Sequence, residues 1–560
     1  MSRVRIETDF WGNSMPAGVV NLDALIERQD FEAGGEVPTV GQMEKIFLSN
    51  LESKQVFGSS LRKPYFQRAT SMWTPEKVAA MVSSFLTQDL VPAVILWRSP
   101  SGLFFVIDGA HRLSCLLAWV HDDYGMGDFS TKFFSGDYSV QRAKNAMRAA
   151  ELVEAAAGGK YQNIIQRHHA HDATEPEKAK ARHLLNCSLM IQWVPPGDAK
   201  KAENSFFKIN EQGVPLDGTE LMSLYSRDCP NSIAARAINQ FGTGNPHWRR
   251  FSGDTKKTVE DAAKQIHSAM FKPLWEGNTI QTPMLPIAGR SFITDSLSRV
   301  VDTVNITNGI EINPKKIKSK VDVEQIIPPD TDGSKTINCL NNTKGVISRI
   351  IGFEGENKSL DLYPLVYFYS ANGKHMPTSY LAFVELMRDL DNKDAFKSFT
   401  LIRKEFEEFL VEHKSVLNQV SRKSRGQIKA VHEVKEFLQS VIKLLMEKKT
   451  QDEVAEILHT SSGYDFAKPN IVLTTKKKSA SPDAKSRMYI SLALEKAIRC
   501  SICGARLLDT SINFDHKEDQ KYGGLSHSQN LQATHHYCNS AKDVLITMFD
   551  ANKDMVKASA

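Results

Sequence analysis

Apolar positions recur at two different periods along the chain. Val78, Met81, Val82, Phe85 and Leu86 are spaced as one face of a helix, directly after Thr74-Pro75. Thr is a good N-cap and Pro suits the first turn, which fixes where that helix starts. Pro92 to Trp97 and Leu103 to Ile107 are short continuous apolar runs joined by a Ser-Pro-Ser-Gly turn at 99–102, and predict two buried strands. Leu113, Leu116, Leu117 and Val120 then mark a second helical face. Residues 18–225 therefore read as a mixed α/β domain. Glu, Lys and Leu at helical spacing dominate the middle of the chain, above all from Phe396 to Leu458, so residues 226–465 predict a mostly helical domain. The basic stretch TTKKKSASPDAKS (Thr474 to Ser486) reads as the core of a linker over 466–486. Residues 487–560 form a last, separate module. The whole reads as a multidomain α+β protein.

Length agrees with this division, because 560 residues exceed one ordinary core. Hydrophobic residues at 41% and charged residues at 24% fit a soluble globular protein. The apolar run Leu90 to Trp97 is far too short to span a bilayer, and Met1 to Asn13 carries no signal-peptide apolar region, so no membrane partner is expected and a cytoplasmic location is. The net charge of +5 is small, but residues 468–560 hold 14 Lys and Arg against 9 Asp and Glu. The last module thus carries the whole excess, which fits a phosphate-backbone partner as well as a solvated face.

Cysteine placement changes the picture more. Cys115, Cys187, Cys229 and Cys339 stand alone, as buried small hydrophobes do. Cys500, Cys503 and Cys538 cluster at the end, and an odd count argues for metal binding rather than disulfides. Cys500-Ser-Ile-Cys503 is one hook; His535 and Cys538 repeat its spacing, with His536 a less well spaced alternative to His535. Three thiolates and one imidazole suit tetrahedral Zn²⁺, which would staple so small a module. Between the hooks, Ile512 and Phe514 lead into Asp515-His516, a Tyr-Gly-Gly turn (522–524) leads to Asn530, and Cys538-Asn539 is followed by Lys542. A neutral imidazole can take a proton from water, and a carboxylate with an amide oxygen can hold a hard divalent ion.

This ordered set resembles the HNH (ββα-metal) endonuclease family over Cys500 to about Lys542. The resemblance implies that His516 is the general base, that Asp515 and Asn539 hold a catalytic Mg²⁺ or Mn²⁺, and that Asn530 orders the loop beside His516. His535 stands where zinc-bearing members usually carry a third Cys. The alternative is a zinc ribbon without catalysis. His527 is a spare exposed histidine, and His168-His169-x-His171-Asp172 reads as a polar loop rather than a metal site.

Three motifs mark the first domain: Pro64-Tyr65-Phe66-Gln67-Arg68 followed by Trp73, Asp108-Gly109-Ala110-His111-Arg112, and Phe207 to Gly213 with Asn210 inside it. The middle motif is a strand, a Gly turn and a helix start, a place where backbone N–H groups and an Arg fork can meet an anion. A surface turn with Arg112 paired to Asp108 is the plainer alternative. In order, the motifs resemble the ParB/sulfiredoxin-like domain of restriction proteins of the GmrS and SspE kind, over about residues 40 to 225. That resemblance implies a nucleoside triphosphate site lined by Asp108, Gly109, His111 and Arg112, with Arg68 and Asn210 as further candidates. Ala110 replaces the family's Gln, so binding is better founded than hydrolysis.

Together the motifs predict an antiviral, type IV-like restriction endonuclease that cuts phage or other foreign DNA, with modified DNA as one target class. A nucleotide-sensing N-terminal domain would license the HNH module. A nucleotide-switched DNA-binding regulator and a mobile-element (homing) nuclease are the rivals, and the oligomeric state stays open.

Overall fold

The computed structural model describes residues 19–29, 43–64, 67, 70, 73–133, 140–195, 201–202, 205–206, 209, 225–242, 248, 250–275, 279–291, 294–311, 320–353, 358–424, 426–466 and 480–558. The first domain is built on a six-stranded sheet: β1 (Glu27–Gln29), β2 (Lys45–Phe47), β3 (Leu61–Pro64), β4 (Val94–Arg98), β5 (Phe104–Asp108) and β6 (Ser188–Trp193), in the spatial order β1-β3-β5-β4-β6-β2. β1, β3 and β5 are mutually parallel; β4 runs antiparallel to β5 and parallel to β6; β2 closes the far edge antiparallel to β6.

The two expected strands are β4 and β5, each displaced a residue or two towards its C-terminus, and the turn at 99–102 joins them. Their continuous apolar runs have a physical cause: both faces of the sheet are covered. Val94, Leu96 and Val106 face a core shared with the helices, whereas Trp97, Phe105 and Ile107 face Val194, Ala202 and Phe206. The helix Pro75–Leu86 starts where its Thr-Pro pair requires, with the Thr74 side chain accepting from Lys77 N at 3.4 Å. The helix Ala110–His121 leaves the C-terminal end of β5 after a single residue, Gly109.

The regular elements described between residues 225 and 466 are all helices, as the periodicity predicts, and they share one large core around Tyr367, Phe383, Phe399 and Phe406. The expected linker 466–486 fares differently. Residues 467–479 lie outside the described residues, but Pro482–Lys496 is a helix. Ser481 caps it by accepting from Ala484 N at 3.2 Å, Pro482 opens the first turn and Asp483 faces the positive helix end. The Ser-Pro-Asp sequence is thus a helix start, where composition suggests a flexible tether. Ile490 and Leu494 of this helix bury in the helical domain's core.

The chain ends in an antiparallel hairpin, β7 (Asn513–His516) and β8 (Leu531–Thr534), followed by the helices His536–Ser540 and Lys542–Ala558. Its small core contains Cys500, Cys503, Ala505, Leu507, Cys538 and Leu545. Among the described residues no helix is long and apolar enough to cross a membrane.

Candidate active site

The two hooks converge. One ligand atom each from Cys500, Cys503, His535 and Cys538 lies within 4.8 Å of every other, and all four side chains are buried. Cys503 Sγ and Cys538 Sγ are 3.5 Å and 3.7 Å from His535 Nδ1. A tetrahedral zinc with bonds of about 2.0–2.3 Å needs ligand separations of roughly that size. His535 Nε2 donates to the Arg506 carbonyl at 3.0 Å, which turns Nδ1 towards the thiols. The Cys₃His cluster can therefore hold a metal such as zinc. His536, the alternative ligand, turns away and donates through Nδ1 to Asp361 at 3.0 Å.

The hairpin between the hooks carries Asp515 and His516 on opposite faces, as neighbours on a strand must be. Asp515 is 8% exposed; across the strand pair Gln532 Nε2 donates to its Oδ2 at 2.8 Å, and Lys542 Nζ lies 3.1 Å from the same oxygen. Lys542 also binds the His516 and Lys517 carbonyls and Asp519 Oδ1, the last at 2.7 Å. Burial works against the charge of Lys542, but Asp519 and Asp515 outweigh it and raise its pKa. His516 is half-buried, and its Nε2 is 2.9 Å from Ser526 Oγ.

Asn530 sits in the turn before β8 and ties the intervening loop together. Its Oδ1 accepts from Glu518 N at 2.9 Å, and its Nδ2 donates to the Glu518 and Leu525 carbonyls, both at 3.0 Å. Gly524 packs against the same loop, where any Cβ would collide with the Glu518 carbonyl. Asn539 comes close to the strand on the Asp515 side: its Nδ2 donates to Asn513 Oδ1 at 3.1 Å, and Asn513 shares a strand face with Asp515. His527 is exposed. In the His168 to Asp172 segment, Asp172 pairs with Arg167 at 2.9 Å, and the Cys₃His group is the only metal-ligand cluster among the described residues.

In the first domain, Asp108 ends β5 and Gly109 turns the chain with φ +94° into the next helix. A Cβ at Gly109 would lie 2.6 Å from Val94 Cγ1, so the turn needs glycine on two counts. Arg112 Nη2 donates to Asp108 Oδ2 at 2.7 Å and to the Ala93 carbonyl at 3.2 Å, the pairing that the plainer alternative anticipates. His111 stacks on Trp73 with ring centroids 5.6 Å apart. Burial, then the charge of Lys63, lowers its pKa to about 4, so the ring is neutral at pH 7. Its Nε2 is buried without a hydrogen-bond partner among the described residues. Arg68 and Asn210 lie outside the described residues.

A charged knot missed by sequence reasoning lies near His111. Asp23 accepts from Lys63 Nζ at 2.6 Å, from Arg28 Nε and Nη2 at 3.0 Å each, and from Thr70 N at 3.0 Å. Lys63 is fully buried, and burial lowers its pKa to about 8. Burial alone would raise the Asp23 carboxyl, but Arg28 and Lys63 reverse this and hold it far below the usual range. Arg28 Nη1 also donates to the Gln67 carbonyl at 2.7 Å, anchoring the loop after β3. Arg28 and Lys63 are register partners on the parallel strands β1 and β3, which is what brings the knot together.

Residues 46–225 match the family model described as GmrSD restriction endonuclease, N-terminal domain. No curated protein and no solved structure matches the chain. The GmrSD-like stretch contains the Asp108 to Arg112 turn, Lys63 and Trp73, but Asp23 and Arg28 precede it. Those two carry no motif of their own. A lone Arg on a short strand and an Asp before it look like surface residues until the parallel pairing of β1 with β3 buries them. Lys542 does carry a signal, the Cys-Asn-x-x-Lys spacing, but not its role as the cation that ties Asp515 to the loop.

Proposed function

We propose that this protein is a metal-dependent DNA endonuclease of a GmrSD-type restriction system, with cleavage carried out by the C-terminal module. The observation that carries the reading is the hairpin β7–β8, clamped at its base by the four-ligand cluster and bearing Asp515 and His516. The family match over residues 46–225 supports restriction as the context and DNA as the substrate.

In this reading His516, oriented by Ser526, accepts the proton of the attacking water. Asp515 and Asn539 would hold Mg²⁺ or Mn²⁺, with Asn513 offering a further oxygen, a hard donor set suited to either ion. When bound, that ion supplies the positive charge that stabilises the leaving oxygen of a phosphodiester. Lys542 pairs with Asp515 and binds the carbonyls of residues 516 and 517, so the base does not drift. Asn530 holds the loop that brings Ser526 to His516. Cys500, Cys503, His535 and Cys538 would bind structural Zn²⁺ and take no part in the reaction.

The first domain would act as the sensor, with a nucleoside triphosphate at Asp108, Gly109, His111 and Arg112 and with Arg68 and Asn210 as further contacts. The Asp108–Arg112 pair would open to release the guanidinium for phosphate. A neutral His111 favours a role as hydrogen-bond partner over that of a cation. Phage DNA, including modified DNA, is the proposed target. Incubating the full chain with plain plasmid and modified phage DNA, with Mg²⁺ or Mn²⁺ and each nucleoside triphosphate in turn, tests the reading. Cleavage that depends on nucleotide or modification supports it. Cutting at one long unmodified site would make it a homing nuclease, and tight binding with no cutting would make it a regulator.

A further inference from the structure

The charged groups around the Cys₃His cluster come from a different domain. Glu407 and Arg403 lie on the helix Phe396–Glu412 of the helical domain, and both are fully buried. Glu407 Oε2 accepts from the backbone N–H of Arg506 at 2.9 Å. The carbonyl of the same Arg506 accepts from His535 Nε2 at 3.0 Å. One carboxylate of the helical domain therefore fixes the residue that orients a ligand of the metal centre. Glu407 is held in turn: its Oε1 accepts from Tyr367 Oη at 2.9 Å and from Arg403 Nε at 3.3 Å.

Other contacts join the same two domains. Arg506 reaches Glu408 at 3.2 Å, and Glu408 also pairs with Arg499 at 2.7 Å, just before the first hook. Within the second hook, His536 donates to the buried Asp361, and Tyr537 N donates to the Ser359 carbonyl at 3.0 Å. Arg403 Nη1 binds the Leu360 carbonyl at 2.6 Å, next to Asp361. The charge balance gives this a purpose. Three thiolates around a divalent ion carry one net negative charge in a buried site, and a buried charge needs a partner. Arg403 and Arg506 are buried cations paired with Glu407, and the Arg506 carbonyl is the group bonded to His535.

We propose that Glu407 is a positioning residue of the metal centre, acting through Arg506 on His535, and that the helical domain supplies the site's outer shell. This rests on the reading of the Cys₃His cluster as a metal site. It makes metal retention a property of two domains rather than of a self-contained zinc knuckle. Outer-shell partners of metal-bound histidines commonly alter affinity by about 10–100-fold.

The test uses the full chain loaded with Zn²⁺, or with Co²⁺ as a spectroscopic probe, and measures metal release to a chelator. Glu407→Gln keeps the shape but removes the charge, and should release metal about 10–100-fold faster with a shifted Co²⁺ absorption spectrum. Glu436→Gln, at an exposed carboxylate elsewhere on the same domain, should leave both unchanged. If Glu407→Gln does not fold, Tyr367→Phe, which removes only a phenol partner of Glu407, should shift release in the same direction. A folded Glu407→Gln with a lower melting temperature but wild-type spectrum and release rate would overturn the proposal while leaving the metal site standing. A wild-type chain that takes up neither ion would overturn the metal site itself, and the proposal with it.

Discussion

At the scale of single residues, the proposed function assigns structural and chemical duties to different side chains of the last module. Cys503 is buried among three other ligand atoms, whereas His516 is half-buried on a strand with a serine as its partner. Cys503→Ser should therefore lower the melting temperature and abolish metal uptake, while His516→Ala should leave the melting curve in place. Loss of His516 as the proposed general base should slow cleavage by about 10²–10⁴-fold without weakening DNA binding. Calorimetry together with a gel-shift assay checks both, and equal thermal damage in the two variants would contradict the division. Asp23 gives a prediction of a different kind. Its folded-state pKa lies below its unfolded one, so its ion pairs contribute stability above roughly pH 4 that is lost as pH falls towards the folded value. Acid unfolding of the first domain should accordingly shift to higher pH in Asp23→Asn, and the variant should lose about 3–5 kcal/mol at pH 7 because Lys63 and Arg28 stay buried without their carboxylate. Denaturant melts across pH measure both.

At the scale of elements, the side chain of Asn530 ties the two arms of the loop between β7 and β8 together with three hydrogen bonds, to Glu518 and Leu525. Asn530→Ala should cost about 1–3 kcal/mol of local stability and should slow cleavage more than it weakens DNA binding, because Ser526 would no longer be held against His516. Gly524→Ala should do the same through the collision with Glu518. Hydrogen exchange of residues 517–530 reads the loosening directly. Elements also show how much a sequence discloses. The helix at Pro75, the strands β4 and β5 and the hooks are legible because each is written in local terms: a cap, an apolar run, a fixed spacing. The ordered Asp-His, Asn and Cys-Asn-x-x-Lys set is likewise written as local spacing, although only Asp515 and His516 of it lie on the hairpin strands. The start of the helix at Pro482 is not legible, because a Ser-Pro-Asp cap and a polar linker share their composition, and only burial of Ile490 and Leu494 distinguishes them.

At the scale of the molecule, the features that escape sequence reading are those that join distant segments. Asp23 and Lys63 are forty positions apart, and Glu407 and Arg506 about a hundred; nothing local marks either pair. The second pair bears on how the chain works as a unit. The C-terminal module rests on the helical region through the buried Arg506–Glu407 pair and the shared core around Leu494 and Leu508.

DNA cleavage by the C-terminal hairpin is tested by incubating supercoiled plasmid and phage DNA with the purified full chain and Mn²⁺, beside His516→Ala matched for folding and for DNA affinity. Nicked or linear product from the wild type alone is the expected result. Equal product from both proteins, or none from the wild type under any nucleotide, would remove His516 from the chemistry and the nuclease assignment with it.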